Sequence, residues 1–530
     1  MLIRRFLVFL TIFACAFSSF GQAPAKEEKA YRAAVRSVDP QQKIAALEKL
    51  LAEYPQGTYR VLINRNILEV LVAHYPDQRD KILAQANRLL SLSSEAARGS
   101  WNNTVAGIFL DQGSLLEDAE QLAEKSVALL GARANLGELQ QIGSVDGRAV
   151  VTSSVPRVAT LGRIYLKRGK IKEGEALIKE AYEADATQPS ALIGIGELAE
   201  VKGDPKAALN YFATAYLSGR GREAARKRVA AAYHKAHPTK PNDLEAWLDA
   251  KYRKDYPSPL KPERYKPTAT RTNRAVLAEV FTGAACGPCL AADLAIEAAM
   301  ERYSTKEFVV LMYHVPIPDV DPMMNPVTEA RREFYQVRVA PHPFINGVLL
   351  PGTGGGRTRI EDSFAKLTPV IDASLETPSD AQIKLGVMQQ GPKIKVNVEV
   401  DKMRSTSSDL RLHLVLAEDE VRYMGSNGLR FHPMVVRAMV GERGEGWAIK
   451  TGQASSFEQT FELQKLSAAT KEYLEDYELN GRTFNPTFDE KKHEIAWNGL
   501  SLVAFVQDRK TKQILQTVYL KLPAAVEKAK

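Results

Sequence analysis

Cysteine is nearly absent: the 530-residue chain holds three. Cys15 lies in an apolar N-terminal stretch, so Cys286 and Cys289 are the only thiols left for a chain that loses that stretch. Two thiols supply neither a disulfide framework nor a four-cysteine zinc site. Beyond the N-terminus no run of some eighteen apolar residues occurs, so no later membrane-spanning helix is readable. One-signed charge blocks are lacking too. The formal charge is +8, which falls to +6 without Arg4 and Arg5, and lysine and arginine are scattered among acids. The short cluster Arg222-Glu223-Ala224-Ala225-Arg226-Lys227-Arg228 reads as a solvated helix face, and no nucleic acid partner is expected. A hydrophobic content of 45% and a charged content of 25% describe a folded, ordinary protein. Gly352-Thr353-Gly354-Gly355-Gly356 lacks the lysine-serine ending of a phosphate loop and reads as a flexible turn.

The first residues, Met-Leu-Ile-Arg-Arg, precede an almost wholly apolar stretch from Phe6 to Phe17 and then small and polar residues. That order is a signal-peptide pattern, assigned to residues 1–21 with cleavage before Gln22. The rival is lipidation of Cys15, disfavoured because Phe13 is bulky for a lipobox. The expected location is therefore exported, in the periplasm or cell envelope.

Residues 27–255 read as helix after helix. Leu161, Gly162, Tyr165, Gly174, Ile178 and Ala181 align with Ile195, Gly196, Ala199, Ala208, Phe212 and Ala215, each pair 34 residues apart. Small residues let the helices of one unit approach, and Ile178 or Phe212 fills the seam. An earlier unit places Gly107, Ala119 and Ala123 equivalently, before an insertion at Gly143-Ser144-Val145-Asp146-Gly147. The region resembles a tetratricopeptide array, which implies a solenoid with a surface for a protein partner; a plain helical spacer is the alternative. Residues 256–274 are a Pro- and Lys-rich linker.

From residue 275 to 378 the pattern becomes α/β. Strands are expected at Ala275–Phe281, Phe308–Tyr313 and Phe344–Leu350, and helices at Leu290–Tyr303, Pro326–Tyr335 and Ile360–Leu375. Over residues 381–523 the period becomes two, as in Ile394, Val396, Val398 and Val400 and in Leu410, Leu412, Leu414 and Leu416. Leu500–Val506 and Ile514–Leu522 flank a turn at Asp508-Arg509-Lys510. This part reads as an all-β, sandwich-like domain.

Cys286-Gly287-Pro288-Cys289 follows the first α/β strand. A helix starting at Cys286 would put its sulfur at the positive end of the helix dipole, among unpaired N–H groups that favour a thiolate. Cys286 is then the attacking thiol and Cys289 the resolving one. A permanent small-loop disulfide adds little stability, and zinc held by Cys286, Cys289, His314 and His342 lacks ligand-like spacing. No metal and no cofactor is expected. His314 reads as a packing residue, and the loop with Asp319, Asp321, Met323 and Met324 as the rim of the site.

The dithiol, with Gly287 and Pro288 between its cysteines, resembles the thioredoxin fold. So does the run from Tyr335 through Val337, Ala340-Pro341-His342-Pro343 and Phe344 to Asn346-Gly347. The resemblance implies that Pro341 is a cis-proline facing the dithiol and that the Ala340 backbone pairs with substrate, with His342 bordering the groove. It also shows departures. The family's buried acid is replaced by Val280, with Glu279 one residue earlier on the other strand face, and its tryptophan by Ala285. That puts fast proton handling in doubt. Phe281-Thr282-Gly283, Tyr313-His314, Val435-Val436-Arg437-Ala438 and Phe505-Val506-Gln507-Asp508 are similar to the twenty-eight-kilodalton outer-membrane protein family, implying an outer-membrane association.

Together these readings give a multidomain chain and an exported thiol–disulfide oxidoreductase acting on protein thiols or disulfides. Its redox partner protein is unassigned, and the helical repeats bind a further protein. The alternative is a non-catalytic envelope scaffold with a redox-inactive thioredoxin fold.

Overall fold

The computed structural model describes residues 25–130, 145–239, 241–390, 393–481 and 487–523. The signal segment, Cys15 and Gly143-Ser144 lie outside these residues. The chain forms two compact units. The first runs to Tyr216 and resumes over Glu223–Pro241; the second takes Leu217–Arg222 and everything described from Asn242 onward.

The first unit is helical. Its elements are α1 (Ala25–Val35), α2 (Pro40–Glu53), α3 (Arg60–His74), α4 (Arg79–Ser91), α5 (Arg98–Gln112), α6 (Leu116–Ala128), α7 (Val145–Lys167), α8 (Ile171–Ala184), α9 (Pro189–Val201), α10 (Pro205–Leu217) and α11 (Arg222–Ala236). The repeat spacing has the expected physical cause. A Cβ on Gly174 would stand 2.8 Å from the Gly162 carbonyl oxygen, and one on Gly196 2.5 Å from the Phe212 ring. Only glycine lets α7 meet α8, and α9 meet α10, that closely. Gly107 does not share this role: a Cβ there meets nothing within 4 Å. In that earlier pair Gly99 instead leaves room for the Arg157 guanidinium of α7, which a Cβ there would meet at 2.5 Å, and its carbonyl accepts the Ser126 hydroxyl of α6. Successive repeats are also tied by charge. Arg163 pairs with Glu197, 34 residues on, through two bonds of 2.9 and 3.0 Å. Arg228 joins both Glu197 and Asp111, so part of the basic cluster braces helices instead of only facing solvent.

The second unit begins with α12 (Leu244–Asp255) and is built on sheet. Its α/β part runs β1 (Val276–Thr282), α13 (Cys289–Arg302), β2 (Phe308–His314), α14 (Pro326–Tyr335), β3 (His342–Ile345), β4 (Val348–Leu349) and α15 (Ile360–Leu375). Then follow β5 (Gln382–Gln390), β6 (Lys393–Asp401), β7 (Leu410–Arg422), β8 (Phe431–Met439), β9 (Trp447–Ala448), β10 (Ser455–Glu462), α16 (Leu463–Asn480), β11 (Leu500–Asp508) and β12 (Ile514–Lys521). The expectation of an all-β segment is corrected here, because α16 fills eighteen of its residues. It buries Leu463, Thr470, Leu474 and Glu478 at helical spacing.

A second difference is continuity. One nine-stranded sheet runs β12-β11-β7-β8-β2-β1-β3-β4, with β9 added beside β7. Parallel pairing of β2 with β8, Met312 opposite Val435, carries it from the α/β strands into the later ones. The second sheet, β10-β6-β5, is antiparallel. β7 and β11 therefore serve two cores. Leu412, Leu414, Leu502 and Ala504 pack with Val396 and Val398 of the second sheet. Val415, Val503 and Phe505, on the other face, join the core around β1 and β2. Burial on both faces explains why β11 is apolar nearly throughout.

Candidate functional site

β1 is buried on both faces and ends at Thr282. The chain then turns sharply through Gly283-Ala284, with the Cys286 N–H donating to the Gly283 carbonyl (2.9 Å). Cys286 and Cys289 are joined as a disulfide, their Cα atoms 5.3 Å apart. Gly287 and Pro288 are exposed, whereas Cys286 keeps 2% of its surface and Cys289 none. The helix starts at Cys289, one residue before the Leu290 expected from the apolar pattern and three after the start at Cys286 that the thiolate argument required. Its first N–H groups are also already bonded, Cys289 to the Cys286 carbonyl, Leu290 to Gly287 and Ala291 to Gly355. These three N–H groups are therefore not free to face the Cys286 sulfur, which corrects that part of the expectation.

Four segments hold this turn. The Ala340 carbonyl oxygen lies 3.5 Å from the Cys286 sulfur, and the Ala340–Pro341 peptide is cis, as the resemblance implied. His342, partly exposed, turns its Nδ1–H onto the Pro341 carbonyl (3.0 Å). The glycine run is not a loose turn. Gly355 donates to the Pro288 carbonyl (2.7 Å), and a Cβ on Gly354 would press within 3.1 Å of Pro341. Glycine is needed where backbone crosses between Pro288 and Pro341. From the β7–β8 loop, the Asn427 N–H donates to Ala284 O (3.1 Å) and its amide to Gly283 O (3.3 Å). That loop is fixed in turn by α12: Tyr252 donates to Gly428 O, and buried Arg430 pairs with Glu245 and Asp249. Thus a loop between the later strands is part of the site, which the β-periodicity alone did not show.

Asp321 is the fourth brace. It lies beneath the turn rather than on a rim, fully buried, accepting from the Ala284 N–H (2.6 Å) and from His314 Nδ1–H (2.9 Å). Burial pushes its carboxyl upward, but His314 and the backbone donors outweigh that and hold it below its ordinary value. His314 is buried as expected, and its other nitrogen, Nε2, has no partner. Its ring meets that of His432 at 5.2 Å; burial pushes His432 down to about 3, so it stays neutral.

The acid that sequence reading missed is Asp293, one turn after Cys289. It is 2% exposed, accepts the Thr282 hydroxyl (2.7 Å) through Oδ2, and has no partner at Oδ1. Burial raises its carboxyl to about 7, against the opposing pull of Thr282 and His314. The signal was present as an acid inside the apolar run Leu290-Ala-Ala-Asp293-Leu-Ala-Ile296. Glu279 is turned to the other face of β1. It accepts two bonds from Arg331 (2.7 and 2.8 Å), one from Tyr313 (2.9 Å) and one from Tyr335 (2.6 Å). The late Phe-Val-Gln-Asp run joins this cluster through Gln507, which bonds Arg331 and Tyr335. Among the described residues no three His, Cys, Asp or Glu side chains are grouped to hold a metal ion, and no helix is long and apolar enough to cross a membrane.

No family model and no curated protein matches the chain. Among solved structures it is similar to HBP35 of Porphyromonas gingivalis, at 14% identity, covering 49% of this chain and 79% of that one with a TM-score of 0.35. A likeness that weak has no bearing on function.

Proposed function

We propose that the chain is an exported thiol–disulfide oxidoreductase that acts on protein thiols or disulfides, and that its α/β part is thioredoxin-like. The observation that carries this is the setting of Cys286-Cys289. The disulfide sits behind an exposed Gly287-Pro288 tip, with the Ala340–Pro341 backbone 3.5 Å from the first sulfur. The strand order β2-β1-β3-β4, parallel then antiparallel, supports the same reading. The Ala340 N–H has no partner among the described residues, and Val339 beside it is 58% exposed. An extended substrate segment can add there by backbone pairing.

In the reductive half-reaction an external thiolate attacks the Cys286 sulfur. The bond to Cys289 breaks, its electron pair leaves on the Cys289 sulfur, and a mixed disulfide forms at Cys286. A second thiolate then attacks the mixed disulfide and releases Cys286, so the external dithiol is oxidised as the protein is reduced. The reverse sequence oxidises a substrate. The helical repeats, read as tetratricopeptide-like, supply a protein-binding surface, and the N-terminal signal pattern supports export to the periplasm or cell envelope.

Trapping tests the division of labour. Cys289→Ser should accumulate a mixed disulfide at Cys286 with a disulfide-bearing peptide, whose second sulfur leaves as a thiolate, read by mass. Cys286→Ser should trap at least tenfold less, because Cys289 has no exposed surface. Equal trapping by both variants, or by neither, contradicts the proposal.

A further inference from the structure

The exchange just proposed has a proton problem, since a thiolate leaving on fully buried Cys289 cannot draw a proton from bulk water. One face of α13 answers it. Cys289, Asp293, Glu297 and Glu301 recur every four residues, which stacks them along one ridge of the helix. Helical side chains lean toward the N-terminus, so the Asp293 carboxyl lies over the turn of Cys289, and that of Glu297 over the turn of Asp293. Exposure grows along the row: Cys289 and Asp293 are buried, Glu297 is partly buried and Glu301 is exposed. At the inner end Asp293 keeps one oxygen unpartnered although it is buried. A structural carboxylate in that position is expected to be fully hydrogen-bonded.

We infer that Asp293 and Glu297 form a proton path between the resolving thiol Cys289 and solvent. This rests on the oxidoreductase reading. When the Cys286–Cys289 bond opens, the electron pair on Cys289 takes the proton of the Asp293 carboxylic acid. Asp293 is then reprotonated by Glu297, and Glu297 by water. On closing, the Cys289 thiol gives its proton to Asp293 carboxylate, and the proton leaves by the same route. The acidities suit transfer near neutral pH: burial raises Asp293 to about 7, and burial with the neighbouring Asp293 raises Glu297 to about 8. The other groups facing Asp293 are Thr282 of β1, His314 of β2 and Asp321 of the following loop. Those facing Glu297 are Glu301 on α13, Glu420 of β7 and Arg357 just before α15, and Glu297 in turn acts on Tyr252 of α12.

The test is the rate at which dithiothreitol opens the disulfide of the full chain, quenched with acid and read by mass from pH 5 to 9. Asp293→Asn should slow opening at least tenfold at pH 6, with the gap to wild type closing above pH 8, where Asp293 has lost its proton. Glu297→Gln should slow it by a smaller factor, and high imidazole concentration should restore that rate, because a mobile acid can replace an outer relay. A merely structural role predicts neither the closing gap nor the rescue. Wild-type exchange with both variants unchanged, or slowed equally at every pH without rescue, overturns the path alone. If the wild-type disulfide does not open at any pH, the oxidoreductase reading falls and the path with it.

Discussion

The two faces of β1 carry two buried polar clusters of opposite character. On the face toward α14, Glu279 is surrounded by Arg331, Tyr313 and Tyr335, with Gln507 closing the ring. Both carboxylate oxygens are bonded. Burial and the Glu279 charge push both tyrosines well above their ordinary range, so they stay neutral donors. On the face toward α13, Asp293 and His314 each leave a buried atom without a partner. The closed cluster joins β1, β2, α14 and β11, and so holds the continuous sheet together. The open one lies beside the disulfide. A buried charge that is fully paired holds a fold together; one left incomplete is available for chemistry.

Breaking the closed cluster should have the larger effect. Glu279→Ala leaves the Arg331 guanidinium buried without its counter-charge and should cost the second unit about 3–5 kcal/mol. Near-UV circular dichroism through a urea titration checks this. Adding Arg331→Met should recover most of the loss, since apolar replacement of a whole buried pair is close to neutral. A double variant as unstable as the sum of the two singles would show that the cluster is not one unit.

The open cluster should respond in the opposite direction. Asp293 binds its proton more tightly folded than unfolded, from 3.8 to about 7, so it lowers stability progressively as pH rises through that window. Below both values the cost vanishes. Asp293→Asn should therefore match wild type at pH 4 and exceed it at pH 8 by up to about 4 kcal/mol. A variant that is less stable at pH 8 would place Asp293 with Glu279 as a structural acid.

How much of this was legible depends on how local each feature is. Cys286-Gly287-Pro288-Cys289, Ala340-Pro341 and the strands around them are written in short runs, and the structure brings them together. The glycines at 162, 174 and 196 were readable through their spacing because each marks a helix contact. Gly107 was misplaced by the same rule, since spacing says nothing of what faces a glycine. The joining of β2 to β8 rests on Met312 opposite Val435, a pairing across more than a hundred residues that no local pattern encodes. Helix α16 was hidden between strands, although Leu463, Thr470 and Leu474 carried its period. Asp293 was passed over because an acid on a helix is usually solvated; only the packing of α13 on β1 and β2 shows that this one is not.

The most direct test of the central claim is a redox titration of the intact chain against glutathione buffers, trapping free thiols at Cys286 and Cys289 and reading the mass. A reversible two-electron transition between disulfide and dithiol is expected, within the range of about −270 to −120 mV spanned by thioredoxin-like reductants and oxidants. A pair that stays oxidised throughout, or one whose thiols never re-form the bond, would contradict it.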